Sequence, residues 1–280
     1  MPLVDLKTLL LFAEKEKRAV GAFSVGNMEM VLGVIRAAEE AGASVILQIA
    51  EKRLAASPLH LMAPMMVSAA QNAAVDVCVH LDHGLSMECI EDALAYGFTS
   101  VMLDASLLPF EENVALTNRV CEKARRFGAS VEAELGVVGG NEGDTAEHRV
   151  TCTDPQKAKE FCEKTGIDAL AVAIGNAHGN YPVLPALRFD VLEQIHAAVS
   201  TPLVLHGGTG ITGAMFQKVI RCGVRKINIA TASFDALAQN AKSYCAGAGV
   251  PDYFALSAKE SDGVYQNVKR HIAIFNQKDV

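Results

Sequence analysis

No apolar run in this 280-residue chain reaches the ~18 residues that cross a bilayer, so no membrane-spanning helix and no membrane partner are expected. The opening segment Met1-Pro-Leu-Val-Asp-Leu-Lys7 lacks the basic-then-apolar order of a secretory leader, which points to a cytoplasmic protein. No C-x-x-C pair occurs. The seven cysteines, Cys78, Cys89, Cys121, Cys152, Cys162, Cys222 and Cys245, are scattered and odd in number. That pattern argues against a disulfide framework and for small, mostly buried side chains in a reducing compartment. No basic stripe offsets the formal net charge of −7, so nucleic acid is not an expected partner. The acidic balance still permits a phosphorylated ligand, because backbone N–H groups bind phosphate without lysine. No linker rich in proline, glycine or serine, no repeat and no low-complexity tract divides the chain, and one domain over 1–280 is the simplest organisation. What is present is a core-rich composition, 50% hydrophobic and 20% charged.

Short β-branched runs alternate with amphipathic stretches. The expected strands are Ala19–Phe23, Ser44–Ile49, Val75–Leu81, Ser100–Leu103, Ser130–Leu135, Ala169–Ile174, Leu203–Leu205 and Lys226–Ile229. Helical spacing marks Met28–Ala41, Met87–Tyr96, Glu111–Phe127, Pro155–Thr165 and Phe189–Val199. The fourth of these starts at Thr153-Asp-Pro155, a capping residue before proline, and Gly166 is the expected stop. Eight such alternations predict an α/β fold, a closed (β/α)8 (TIM) barrel. A doubly wound sheet would place G-x-G-x-x-G after its first strand, and Gly21-Ala-Phe-Ser-Val-Gly26 does not match. A helical tail, about Ser257–Phe275, is expected outside the barrel or against another subunit. The longest irregular segment, Gly136–Val150, follows the fifth strand and has the glycine content of a lid.

Polar residues gather at the C-terminal ends of these strands, the rim where such barrels keep their active sites. His83 closes the third strand, Glu132 and Glu134 the fifth, His178 follows the sixth, His206 closes the seventh, and Asn228 to Thr231 close the eighth. A lone strand-end histidine is more often a hydrogen-bonded structural residue. Three on one rim, each followed by glycine, point instead to a zinc site with a coordination position left for substrate. His60, His196 and His271 fall in helical stretches and read as surface or packing residues; His148 lies in the lid segment and could be either. His80 reads as a core histidine or an outer partner of the site. Gly207-Gly-Thr-Gly210 and Asn228-Ile-Ala-Thr231 suggest a phosphate cradle, the alternative being glycines that only permit tight turns. Asp82 and Glu142 are the acid–base candidates. Asp82 could instead orient a histidine, and Glu142 could be a solvated surface charge.

The motifs Leu81-Asp-His83, Val131-Glu-Ala-Glu-Leu-Gly136, Gly139-Gly-Asn-Glu142, Ala171-Val-Ala-Ile-Gly-Asn-Ala-His-Gly179, Leu205-His-Gly-Gly-Thr-Gly210 and Lys226-Ile-Asn-Ile-Ala-Thr231 run along most of the chain. Together they resemble the class II, zinc-dependent ketose-bisphosphate aldolases of the fructose- and tagatose-bisphosphate type. The resemblance implies zinc on His83, His178 and His206, with Glu134 a carboxylate near the metal. It implies that Asp82 exchanges a proton with the aldehyde oxygen, and Glu142 with the dihydroxyacetone-phosphate carbon. It assigns that phosphate to Gly179, Gly207, Gly208, Thr209, Asn228, Ile229, Ala230 and Thr231, beside a monovalent cation, Na+ or K+. The partners it implies are a phosphorylated ketose and other copies of the chain in a homodimer or homotetramer.

Three positions depart from the family pattern. Ala50 stands where serine or threonine is common, Ser24 stands where asparagine is common, and Pro251–Glu260 lacks the arginine that grips a distal phosphate. Lys259, or Lys52 and Arg53 after the second strand, are the substitutes within reach. The expected reaction is therefore cleavage of a ketose 1-phosphate or 1,6-bisphosphate to dihydroxyacetone phosphate and an aldehyde. A metal-dependent sugar-phosphate isomerase or epimerase, and a non-catalytic subunit of another aldolase, are the alternatives.

Overall fold

The computed structural model describes residues 2–140, 151–180, 185–247, 249–250 and 252–277. In chain order the elements are α1 (Leu6–Lys15), β1 (Val20–Ser24), α2 (Met28–Ala41), β2 (Val45–Ala50), α3 (Leu59–Asn72), β3 (Val77–Gly84), α4 (Met87–Ala95), β4 (Ser100–Leu103) and α5 (Phe110–Phe127). They continue with β5 (Ser130–Leu135), α6 (Pro155–Lys164), β6 (Ala169–Val172), α7 (Phe189–Ala198), β7 (Leu203–Leu205), α8 (Gly213–Arg221), β8 (Val224–Ile229), α9 (Thr231–Gly247) and α10 (Tyr253–Phe275). The eight strands are parallel, pair in sequence order and close through β1 and β8, giving the expected (β/α)8 barrel. No described helix is long and apolar enough to cross a membrane.

Two strands differ from expectation at the rim. β3 runs on through Asp82 and His83, because Ala50 of β2 still pairs with Asp82 there. β6 stops at Val172: the Ile174 N–H is taken by Asn176 Oδ1 rather than by the sheet, which turns the chain outward. Helices α1, α8 and α9 have no bounded counterpart in the sequence expectation, and α3 is the helical stretch expected around His60. Asp154 caps α6 by accepting from Lys157 N, as expected, but the helix ends on extended Thr165 and does not use Gly166 as a left-handed stop. The tail helix α10 begins at Tyr253, earlier than expected, where Asp252 accepts from Ala255 N. It packs on α2 and α9, outside the barrel.

The apolar core forms two clusters. The larger fills the layer between strands and surrounding helices, with Phe23, Leu47, Leu81, Val131, Leu170 and Ile227 facing outward into it. The smaller lies at the barrel floor, where Val20, Ala22, Ile46, Cys78, Met102 and Val204 meet Leu6, Leu9, Leu10 and Ala13 of α1. The i, i+3, i+4, i+7 spacing of those four residues puts them on one face of α1, so the helix caps the barrel from below. Above this floor the interior turns polar: Gln48, His80, Asp82, Glu132, Glu134, His206, Lys226 and Asn228 are all buried. A barrel of this size has no pore to hydrate such groups, so each needs a partner inside.

Candidate active site

His83 sits at the end of β3 with φ of 40°, a left-handed backbone that a residue with a Cβ adopts only under constraint. The β3–β4 register also shifts between Leu81 and Gly84. This irregularity turns the imidazole into the barrel mouth. Its Nδ1 lies 2.7 Å from Asp104 Oδ2, just beyond β4, and Asp104 is held in turn by Ser106 Oγ at 2.7 Å. The opposite nitrogen, His83 Nε2, lies 2.8 Å from His206 Nδ1, and His206 Nε2 lies 2.8 Å from Glu132 Oε1. His178 reaches the same point from the β6 side, its backbone N–H donating to Gly139 O at 2.7 Å. Asn176 ties the two loops together, donating to His206 O at 3.0 Å. Gly207, with φ of 64°, completes the closure: a Cβ there would fall 2.1 Å from Ala177 O.

The three imidazoles thus offer nitrogens that all lie within 4.8 Å of one another. His178 Nε2 is buried and has no hydrogen-bond partner, the condition of a donor atom shaped for something other than protein. The other two rings are each fixed by a carboxylate on the far nitrogen, the usual second support of a metal-binding histidine. The residues therefore fit a divalent metal. Electrostatics agree. Burial would depress His83, but the charges of Asp82, Asp104 and Glu134 and the Asp104 hydrogen bond outweigh it and raise the pKa to about 10. Burial, then the charge on His83, lowers His178 and His206 well below the usual imidazole range. A metal taken up by these rings would displace the proton that the surrounding carboxylates favour on His83.

The carboxylates divide into distinct roles. Asp82 accepts from Asn228 Nδ2 and from Gln48 Nε2, both at 3.0 Å, while support of the far nitrogens of His83 and His206 falls to other carboxylates. These are Asp104 and Glu132. Glu134 gathers with His83 and Asp104 into a second group of donors within 4.8 Å, with Oε2 buried and unpartnered. Burial and the neighbouring Asp104 charge raise its pKa well above the carboxylate norm. His80 is a core histidine below the rim, 2.8 Å from Ser100 Oγ through Nδ1, with Nε2 3.7 Å from Glu132 Oε2. Lys226, fully buried, places Nζ 2.8 Å from that same oxygen, an ion contact without good hydrogen-bond alignment.

Asp82, His178, Gly179, Gly207, Gly208, Thr209, Asn228, Ala230 and Thr231 line one small pocket, so the structure brings the expected phosphate loops together beside Asp82. Thr209 Oγ1 accepts from Ala232 N, joining the loop after β7 to the first turn of α9, whose N-terminus faces this pocket. The side chain of Ile229 belongs to the outer core, which leaves any part it plays to its backbone. Glu142 and His148 lie outside the described residues. Ser24 Oγ accepts from Gln48 Nε2, and Ala50 is buried in β2. Of the three candidate cations for a distal group, Lys259 pairs with Asp262 on the exposed side of α10, and Arg53 lines a cleft at the rim. The sequence reading assigned no role to Asp104, and left Glu132 and Lys226 without theirs. Asp104 follows a strand end as His83 does, and that placement was its one available signal.

A family model described as fructose-bisphosphate aldolase class-II matches residues 4–280. The chain is 44% identical to the fructose-bisphosphate aldolase of Staphylococcus aureus over 234 residues, 82% of either chain. It is 45% identical to the probable fructose-bisphosphate aldolase of Bacillus subtilis over 240 residues, again 82% of either chain. Among solved structures it is similar to the YdjI aldolase of Escherichia coli K12, with a TM-score of 0.87, 38% identity, and coverage of 98% of this chain and 97% of that one.

Proposed function

The chain belongs to the class-II fructose-bisphosphate aldolase family of carbon–carbon lyases, and from that premise we propose a zinc-dependent enzyme acting on a ketose 1-phosphate or 1,6-bisphosphate of the fructose or tagatose type. Cleavage yields dihydroxyacetone phosphate and an aldehyde, and the reaction is reversible. The observation that carries the reading is the cluster of His83, His178 and His206 beside Asp82 and the phosphate loops.

His83, His178 and His206, with the proton displaced from His83, would hold zinc. A metal held there supplies Lewis-acid stabilisation of the negative charge that develops on the ketone half, with no lysine Schiff base required. The chain's own groups do the rest. The N-terminus of α9 and the Gly207–Thr209 loop hold the phosphate of the ketone half, aided by a monovalent cation, Na+ or K+. Asp82, steadied by Asn228 and Gln48, takes the proton from the C4 hydroxyl during cleavage and returns it to the aldehyde oxygen during condensation. Glu142 exchanges the proton at the dihydroxyacetone-phosphate carbon, a role carried over from the family. Atoms balance: condensation moves one proton from that carbon to the aldehyde oxygen and joins two carbons. The working form is a homodimer or homotetramer, which sedimentation tests directly.

Zinc-loaded enzyme incubated with dihydroxyacetone phosphate and a panel of aldehydes is expected to form ketose phosphates. Asp82→Ala is expected to abolish them. No product with any aldehyde would overturn the aldolase reading, and interconversion of intact sugar phosphates without carbon–carbon cleavage would favour an isomerase or epimerase.

A further inference from the structure

The three histidines do not stand on equal backbones. His178 and His206 sit on loops that Gly139 and Asn176 tie down. Of the three, His83 alone takes a left-handed backbone, which persists only where the surroundings enforce it. Part of that enforcement comes from β4. Asp104 N donates to Gly84 O at 2.9 Å while the Asp104 carboxylate holds the His83 ring, and a Cβ at Gly84 would fall 2.4 Å from Met102 O.

The rest comes from β2. Ala50 pairs with Asp82, so Glu51 leaves the sheet beside His83 and opens a single 3-10 turn, Glu51–Arg53. Its half-buried carboxylate accepts three hydrogen bonds from the chain just past Gly84. Leu85 N at 2.6 Å and Ser86 N at 3.0 Å donate to Oε2, and Ser86 Oγ donates to Oε1 at 2.6 Å. A carboxylate near a helix N-terminus is often only a cap. Here α4 already has one, because Ser86 Oγ accepts from Cys89 N at 3.1 Å. The backbone bonds to Glu51 fall ahead of the first turn, on the two residues that carry the chain away from Gly84. An ionised acceptor makes them stronger than neutral hydrogen bonds. Relaxing His83 toward an ordinary extended φ would swing Gly84 and Leu85 and break them.

We infer that Glu51 is a positioning residue for the metal site: it fixes the chain that leaves His83 and so keeps that imidazole where the other two meet it. It acts through the backbone, whereas Asp104 supports the ring. This role rests on the metal-binding reading above.

The test titrates metal-free wild type, Glu51→Ala, Glu51→Gln and Ser86→Ala with zinc against a chromophoric chelator. Glu51→Ala is expected to weaken zinc binding about tenfold or more, as loss of an outer support does. Glu51→Gln keeps an oxygen that can accept from a backbone N–H, and should weaken it less. Ser86→Ala loses the α4 cap and one of the three bonds but keeps both backbone bonds; its Tm should fall while zinc affinity stays within about threefold of wild type. The visible spectrum of the cobalt(II)-substituted protein follows ligand geometry, and should shift in Glu51→Ala but not in Ser86→Ala. Wild-type affinity and spectrum in Glu51→Ala, or equal losses of affinity in Glu51→Ala and Ser86→Ala, overturn the positioning role and leave the metal site standing. Should Glu51→Ala not fold, Glu51→Gln against Ser86→Ala decides in the same way. A wild type that binds no zinc removes both readings.

Discussion

Replacing Glu132 separates two functions that one buried side chain performs. Its Oε1 lies 2.8 Å from His206 Nε2, its Oε2 lies 2.8 Å from Lys226 Nζ, and all three side chains are fully buried. Glu132→Leu keeps the volume but strips the carboxylate, leaving the Lys226 ammonium without its counter-charge in the barrel interior. An uncompensated buried charge costs about 3–5 kcal/mol. Unfolding entropy of ~2.1 cal/mol/K per residue over 280 residues is about 0.6 kcal/mol/K, so the lower figure corresponds to a Tm drop of ~5 °C. Glu132→Leu with Lys226→Met removes the orphan charge, and apolar replacement of a buried ion pair is often neutral, so most of that loss should return. Zinc affinity should behave differently. His206 loses the acceptor on its far nitrogen in both variants, and loss of such support typically weakens binding about 10–100-fold. Thermal unfolding of the metal-free proteins and zinc competition against a chromophoric chelator read the two effects separately. A double variant that binds zinc as tightly as wild type would refute the orienting role of Glu132. A single variant as stable as wild type would refute the need of Lys226 for a counter-charge.

Asp82→Asn should leave zinc affinity within about threefold, because the far nitrogens of His83 and His206 are held by Asp104 and Glu132, while condensation falls about 10²-fold or more; chelator competition and initial rates on one preparation measure both. Leu10→Ala, in the fully buried face of α1, should cost about 2–5 kcal/mol in urea unfolding, and a loss under 1 kcal/mol would mean that α1 does not close the barrel floor. His271 is buried against Phe23, Phe216 and Phe275, and burial lowers its pKa from 6.5 to about 4. Between those values the unfolded chain binds more protons than the folded one, so stability is full above about pH 6.5 and falls as pH drops toward 4, by about 2 kcal/mol at pH 5. His271→Gln should flatten the pH dependence of urea unfolding by that amount, and matching slopes in the two proteins would remove His271 as its source.

The rim was legible because strand periodicity and rim chemistry coincide in the sequence. His83 and His206 stand where an apolar run stops, His178 follows one within a short turn, each precedes a glycine, and the barrel puts all such points at one end. Helix α1 was legible in principle from Leu6, Leu9, Leu10 and Ala13, but nothing in that spacing says that its apolar face meets a barrel floor rather than a sheet flank. Depth within the barrel was the larger omission. Glu132 and Glu134 share strand parity, as do Lys226 and Asn228, so each pair faces inward. Positions two apart on a strand differ in height by about 7 Å. Which of them reaches the rim depends on strand stagger, a property of the closed sheet and not of any segment.

Stagger also decides what Lys226 does. In Lys226-Ile-Asn-Ile-Ala-Thr231 a lysine so near a phosphate loop invites assignment to the phosphate. The structure sets it one step deeper, on Glu132 and with no exposed surface. From floor to rim the interior is then apolar, charged and chemical in turn: α1 and its contacts, then His80, Glu132 and Lys226, then the three histidines with Asp82. The middle layer is what allows the top one. His206 needs an acceptor on its far nitrogen, the acceptor available from β5 is a carboxylate, and a carboxylate buried this deeply requires a cation beside it. Lys226 is therefore explained by a histidine that it does not touch.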